Sequence, residues 1–474
     1  MASFLPFVLQ NLNSLIQKEV GLLWGVDKEM KKLSSTLTTI QAVLEDAQQK
    51  QFQEKAIQNW LRKLNDAAHE VEDILDDCTT EALQYESKRL SSSSLKKLRS
   101  CTNCLVLPAF GQLPSLRRLE ISKMDYVEYI DNYFPGGSPV RGFPALEVLC
   151  ISQLPNLVGL SREEGRELLP CLHKIDINNC PKLTLPRLSS PKLLKVWFPS
   201  NVVLSSISNL KNLTTLSVHR GYMISFPEEM LQNLTVLESL EIERFSNLKV
   251  LPTNLESLVS LKSLRIWWCG EIESLPDHGL RSQKSLQRLT IKHCNNLSSL
   301  SESLGHLTAL EELNVSGCPK LVTLPDSIKH LVSLRHLHIG YSELKTLPEA
   351  LKHVPALQSL FIACCKQLTS LPEWLGNLTS LQSLYIFYCR KIPSLPDGFE
   401  RLTNLQTLTI MGCGPELLRR CQKEKGEDWY KIAKIPKIDL TIAISFSRTT
   451  NLYSSALSLA RSFTRHCHLR YPVV

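Results

Sequence analysis

A ladder of leucines constrains this chain more than any other feature. Leu237, Leu261, Leu286, Leu310, Leu334, Leu357, Leu381 and Leu405 follow one another at steps of 24, 25, 24, 24, 23, 24 and 24 residues. Each opens the phrase L-x-x-L-x-I/V. Most units then run on to Leu-Pro, as at Leu275-Pro276, Leu324-Pro325, Leu347-Pro348, Leu371-Pro372 and Leu395-Pro396. One such unit cannot bury its own apolar face, so a fixed period of this length implies a solenoid of stacked units. Stacked units present a long concave surface, which points to binding rather than catalysis. Each unit is expected to give a short strand, and the strands a curved parallel sheet. The Leu-Pro phrase is expected to end the unit on a non-helical convex side. Earlier units are less regular (Leu116/Leu119/Ile121, Leu146/Leu149/Ile151, Leu172/Ile175/Ile177), and residues 133–139 read as an inserted loop.

At 474 residues the chain is long for one core, and 43% hydrophobic with 21% charged residues suits a folded protein. The net charge of +8 is uneven. Residues 1–90 hold 10 Lys/Arg and 14 Asp/Glu (10 − 14 = −4), so the remainder carries +12. No basic–aromatic module accompanies that excess, so nucleic acid is not expected as a partner. The first residues lack a basic region, and Gln10, Asn11, Asn13 and Ser14 interrupt their apolar run, so no secretory signal is expected. No stretch reaches the ~18–20 apolar residues that span a bilayer. A cytoplasmic location follows, with membrane periphery as the alternative.

The cysteines fit that location. Cys180, Cys269, Cys294, Cys318, Cys365, Cys389 and Cys413 each stand three residues after the Ile or Val of their unit. A slot recurring rung after rung is the position of a small buried hydrophobe, not a disulfide framework. Cys101 and Cys104 have half the spacing of a zinc site without a matching second pair, so no metal is expected. Scattered histidines and the lack of any nucleophile motif predict no catalytic residues.

Alternation along a strand identifies the residues that would meet a partner. The residue before each inward Ile/Val and the two after it give 21 positions over the last seven regular units. Aromatics are 7% of the chain, yet seven of these positions are aromatic: Trp267, Trp268, Tyr341, Phe361, Tyr385, Phe387 and Tyr388. Exposed aromatics at this density suit a protein contact patch, although aromatics also favour strands for reasons of packing alone.

Residues 1–90 have a different period. Val26, Met30, Leu33, Leu37, Ile40, Leu44 and Ala47 alternate steps of 4 and 3, as do Ile57, Leu61, Leu64, Ala68, Val71, Leu75 and Cys78. Two long amphipathic helices and a shorter one over 4–17 predict a small helical bundle. The second helix ends in an acidic run in which Glu72, Asp73 and Asp76 lie away from Val71, Ile74 and Leu75. These acids face either solvent or basic residues elsewhere in the chain.

The phrases LSSTLTTIQAVLEDAQQKQ (33–51) and AIQNWLRKLNDAAHEVEDILDD (56–77) resemble the N-terminal coiled-coil domain of plant intracellular immune receptors, the coiled-coil NLR class. The resemblance implies that Glu72, Asp73 and Asp76 form an intramolecular docking strip for basic residues of the repeats. The units from about 105 to 415 resemble plant leucine-rich repeats. The run from Cys413 through Trp429 to Pro436 resembles the closing phrase of these receptors and is expected to cap the last rung. Receptors of this class carry a nucleotide-binding module between head and repeats. Here Ser91–Ser94 and Leu95-Lys96-Lys97-Leu98 lead directly from one to the other, and no G-x-x-x-x-G-K-[ST] loop occurs, so no ATP or ADP is expected as cofactor.

The expected fold is therefore a helical bundle (1–90), a Ser/Lys-rich joint (91–104), a leucine-rich-repeat solenoid with a concave parallel sheet (105–415), a cap (416–439) and a disordered basic tail (440–474). The resemblance implies plant innate immunity through protein recognition. The partner would be a pathogen or host protein on the concave face, or a full-length receptor or second copy through the head. The alternatives are a membrane-perturbing oligomeric executor of cell death, or the product of a truncated locus without a role.

Overall fold

A five-residue segment patterned x-L-x-I-x buries its second and fourth side chains on one face of a strand and leaves the other three on the opposite face. The computed structural model builds this unit thirteen times, with a less regular strand at either end, among the residues it describes, which are 95–99, 107, 113, 115–130, 143–162, 169–252 and 254–441. The strands are β1 (Leu95–Arg99), β2 (Arg118–Ser122), β3 (Val148–Ser152), β4 (Lys174–Asn178) and β5 (Leu193–Trp197). Then come β6 (Thr215–His219), β7 (Ser239–Glu243), β8 (Ser263–Trp267), β9 (Arg288–Lys292) and β10 (Glu312–Ser316). The last are β11 (His336–Gly340), β12 (Ser359–Ala363), β13 (Ser383–Phe387), β14 (Thr407–Met411) and β15 (Lys437–Thr441). They form one parallel sheet in strict chain order, as a solenoid requires. The helical head with Glu72, Asp73 and Asp76, the loop at 133–139, Cys101, Cys104 and residues 442–474 lie outside the described residues.

Register keeps like positions in rows. Leu384 pairs with Leu360 and Leu408, and Ile386 with Ile362 and Ile410. The two inward residues of every strand from β2 to β14 are at most 1% exposed. Each buried aliphatic contributes about 1.5–3 kcal/mol, which offsets the entropy of ordering its rung. The cysteine slot is buried as its position predicts: Cys180, Cys269, Cys294, Cys318, Cys365, Cys389 and Cys413 are all buried and free. Two adjacent rungs fill the slot as a pair. Phe245 occupies the slot in β7's unit, fully buried, and Gly221 occupies it in the unit before. A Cβ on Gly221 would overlap the Phe245 ring, so the missing side chain makes room for the large one.

The convex side differs from expectation. Leu-Pro does not end a non-helical stretch; its proline opens a helical turn. Pro325, Pro348, Pro372 and Pro396 precede the 3-10 turns Asp326–His330, Glu349–His353, Glu373–Asn377 and Asp397–Arg401, and Pro276 precedes the short α-helix Asp277–Arg281. The ring holds φ between −63° and −75°, already close to helical, and its missing N–H is not needed at a helix start. The carbonyls of Pro325, Pro348, Pro372 and Pro396 then accept from the N–H three residues on, as in Leu375 to Pro372 at 3.0 Å, and that of Pro276 from Leu280, four residues on.

The sheet also extends past both expected borders of the repeats. β1 lies inside the stretch read as a joint and pairs with β2. β15 follows two short helices, Pro415–Arg420 and Trp429–Ile432, inside the stretch read as a cap, and pairs with β14. Neither strand carries the full repeat phrase, since Lys96 takes the place of an inward leucine in β1.

The helices before β15 are held by one buried carboxylate. Asp428 is 0% exposed. It accepts two hydrogen bonds from Arg420, at 3.0 Å each, and one from the Leu395 N–H at 3.0 Å, and it pairs with Lys431 at 3.0 Å. Lys431, itself buried, also donates to the Leu395 carbonyl at 2.8 Å and pairs with Asp397 at 2.7 Å. Every polar atom of this clasp has a partner, which is the condition for burying charge at tolerable cost.

Candidate functional site

The first, third and fifth residues of each strand form the floor of the concave face, and adjacent strands bring equivalent positions together at about 4.8 Å. Trp267, Phe361, Tyr385 and Phe387 occupy such positions. Trp268, Tyr341 and Tyr388 do not. Each follows its strand at a positive φ, 58°, 51° and 53°, and begins the turn off the sheet. The same conformation recurs in every unit from β2 to β14 and is fixed by a hydrogen bond to the next rung, such as Trp268 N–H to Lys292 O and Tyr388 N–H to Met411 O, both 2.8 Å. No β-branched residue stands in this row, where its side chain would clash with the left-handed backbone. The seven aromatics therefore lie in two rows, one on the floor and one along the strand ends.

The strand-end row is itself a stack. The Trp268 and His293 rings lie 3.9 Å apart and 18° from parallel. The next residue is Gly317 at φ 70°, and a Cβ there would meet the His293 ring; Gly412 has the same relation to Tyr388. Glycine thus serves both the backbone conformation and the close approach of a ring.

On the floor, three of the predicted residues meet and one stands apart. Phe361 lies 6.0 Å from Tyr385 and 5.0 Å from Phe387, centroid to centroid, in tilted pairs. His338, which the sequence reading passed over, joins them at 4.0 Å from Phe361. Burial, with a smaller effect from the Lys292 charge, pushes His338 down to about 3, so this imidazole is neutral at cellular pH. The result is an uncharged aromatic cluster across β11, β12 and β13. Trp267 lies four strands from Phe361, beneath Lys292, whose ammonium is 5.6 Å from the ring centre. Its buried indole N–H has no acceptor among the described residues.

Two further groups occupy the floor nearer β2, in the irregular units. Trp197 and His219 stack at 4.2 Å, and His219 Nδ1 lies 3.0 Å from Glu243. Between β2 and β5 an open depression of about 780 Å³ is lined by Arg118, Glu120, Cys150, Asp176, Lys195 and Trp197. Its carboxylates are paired, Glu120 with Lys97 at 2.9 Å and Arg118 at 2.8 Å, and Asp176 with Lys174 at 3.1 Å. Burial, then the nearby Asp176 charge, raises the Cys150 thiol to about 11, so it stays protonated and is not a nucleophile. These groups escaped the sequence reading because it tabulated concave positions only where the 24-residue period is regular. The signal was present: Trp197 and His219 each follow an inward Val.

Among the described residues no cluster of His, Cys, Asp or Glu is arranged to hold a metal ion, and no helix is long and apolar enough to cross a membrane. The face can offer ring stacking, apolar contact and scattered charge, which is chemistry for holding another surface.

Comparison with known proteins agrees with that geometry. Residues 4–102 match the Rx N-terminal domain family, and residues 317–470 match a leucine-rich repeat region family. Disease resistance protein RGA2 of Solanum bulbocastanum is 42% identical over 161 residues, 33% of this chain and 14% of the relative. RGA1 and RGA4 of the same plant, also named for disease resistance, are 43% identical over 164 residues and 54% over 88. Those stretches cover 16% and 9% of the two relatives, so the chain matches under a fifth of each. Among solved structures, a leucine-rich repeat protein of Leptospira interrogans covers 75% of this chain and 98% of its own, at 21% identity and a TM-score of 0.44.

Proposed function

We propose that this chain, which joins an Rx N-terminal domain to a leucine-rich repeat region and shares those stretches with plant disease resistance proteins, acts in plant defence by recognising another protein on its concave face. The observation that carries the reading is the uncharged aromatic cluster of Phe361, Tyr385, Phe387 and His338 on the floor of the sheet. Large rings held in place by their neighbours give contact area at little entropic cost, which is why such residues dominate protein interfaces. The partner is a pathogen or host protein that brings an apolar side chain to this cluster. Trp267 and Lys292, three to four strands away, would take an acceptor-bearing or acidic group of the same partner, satisfying the indole N–H.

The remaining parts follow from this role. The reading assigns no catalysis and no nucleotide cofactor to the chain, and places it in the cytoplasm, where the column of free thiols stays reduced. Glu72, Asp73 and Asp76 keep their role as an intramolecular docking strip in this proposal.

A plant line lacking the chain tests the proposal. Pathogen growth should rise in that line and fall again when the wild-type chain is restored. The double variant Phe361→Ala/Phe387→Ala should fail to restore resistance. Val259→Ser, at an exposed site away from the floor, should restore it fully. Full rescue by the double variant would remove the aromatic cluster from the account, and unchanged pathogen growth in the line would remove defence.

A further inference from the structure

The depression between β2 and β5 contains polar groups that the fold leaves unspent. Asp176 and Lys195 are register partners on β4 and β5, and so are Asn178 and Trp197 one floor position further along. Adjacent strands lie about 4.8 Å apart and successive floor positions about 6.7 Å apart, so these four residues mark the corners of one small patch. All four line the depression of about 780 Å³. That volume falls within the range of about 300–1,000 Å³ typical of ligand sites.

Each corner has its own capacity. Asp176 spends one oxygen: Oδ2 pairs with Lys174 at 3.1 Å and accepts from the Cys150 thiol at 3.7 Å. Its Oδ1 is buried and has no hydrogen-bond partner among the described residues, a costly state for a carboxylate oxygen. Lys174 already balances the charge of Asp176, so what Oδ1 lacks is a neutral N–H. Among the described residues the Lys195 side chain makes no hydrogen bond or ion pair, and what its ammonium lacks is an anion. The Asn178 side-chain amide is equally uncommitted and can donate or accept. Trp197 offers an indole ring steadied by His219, 4.2 Å away and 16° from parallel.

A carboxylate with an N–H two bonds away meets the first two needs together, and that is the last residue of a peptide. An internal Asp or Glu side chain would satisfy Lys195 and leave Asp176 Oδ1 bare. We propose that this patch captures the C-terminal end of a peptide. Lys195 holds the terminal carboxylate, Asp176 Oδ1 accepts the N–H of the same residue, Asn178 meets the preceding peptide group, and the terminal side chain lies on Trp197. Chain ends are a recurring target of protein recognition because they offer a charge and a donor in fixed relation. The patch lies seven strands from Phe361 on β12, so it stands independently of the aromatic cluster.

Calorimetric titration of the full chain decides this, with acetyl-Ala-Ala-Phe as the probe. The probe should bind saturably at millimolar concentration or below. Three changes should each weaken it at least tenfold: amidation of its carboxylate, an ester oxygen in place of its last N–H, and Lys195→Met in the protein. The first two are made in the peptide and are read on an unaltered fold. Phe361→Ala/Phe387→Ala should bind the probe as wild type does, which separates this result from the fate of the aromatic cluster. Absence of binding by the free acid would overturn the proposal. Equal binding by an amidated peptide with an internal Glu would make the patch a general anion site, and undiminished binding of the ester would remove Asp176. Acetyl-phenylalanine binding as tightly as the tripeptide would give the patch to a small N-acyl amino acid. Any of these three results overturns capture of a peptide end.

Discussion

Asp428→Ala is expected to destabilise the C-terminal end of the solenoid by about 3–5 kcal/mol, the usual cost of removing one partner from a buried ion cluster. The substitution leaves Lys431, buried, without its buried carboxylate partner, and leaves the Leu395 N–H without an acceptor. Stacked repeats lose stability locally, so the effect should concentrate in β14, β15 and the two helices before β15. Exchange of amides in those elements is the measurement, with β6–β9 as the unaffected reference. A change below about 1 kcal/mol would show that the clasp is ornamental.

The same cluster sets a pH dependence. Burial alone would raise the Asp428 carboxyl, but hydrogen bonds from Arg420, the Leu395 N–H and Lys431 outweigh it and hold it below the ordinary value of 3.8. A depressed carboxyl contributes stability that is fully present above the unfolded value and lost as pH falls through the folded one. Burial likewise lowers Lys431, and its bonds to Asp397 and Asp428 more than reverse this, leaving it above 10.5. Its contribution is present below that value and lost as pH rises through the higher folded one. The C-terminal rungs should therefore open in acid below about pH 4 and hold through the neutral range.

Phe245→Cys should cost about 3–5 kcal/mol, because it empties most of a fully buried ring's volume from the rung. Gly221→Cys should cost about 1–3 kcal/mol, because the new Cβ meets that ring. The double variant restores the slot found in most regular units, a cysteine on each rung, and should be more stable than the sum of the two losses predicts. Chemical denaturation of the three variants and wild type gives the coupling directly. Additive losses would mean that Gly221 and Phe245 are not a matched pair.

The ladder of Leu237 to Leu405 made the regular rungs legible, because each inward residue recurs at a fixed step and every one of them is buried. The ends were not legible for the same reason. Lys96 breaks the inward pattern of β1, and Ile438 and Leu440 follow a stretch that reads as polar cap. The convex turns were misread because proline was treated as a terminator, whereas here it stands just before each turn, at an extended ψ, and leads the chain into it. Trp268, Tyr341 and Tyr388 were assigned to the floor because a positive φ leaves no trace in residue type at most rungs. Only Gly317 and Gly412 advertise it, while Trp, His, Tyr and Cys adopt it elsewhere in the row, each donating a hydrogen bond to the next rung. His338 was passed over because its neutrality comes from burial among neighbours that only the fold brings together.

A photo-cross-linking residue placed in turn at Phe361, Phe387 and Val259 of the full chain, expressed in plant cells, tests the central claim most directly. One protein should be captured from both concave positions at least tenfold more than from Val259, and its capture through Phe387 should be lost when Phe361 is alanine. Capture of that protein from Val259 alone, or undiminished capture through Phe387 in the Phe361→Ala chain, would contradict recognition on the concave face.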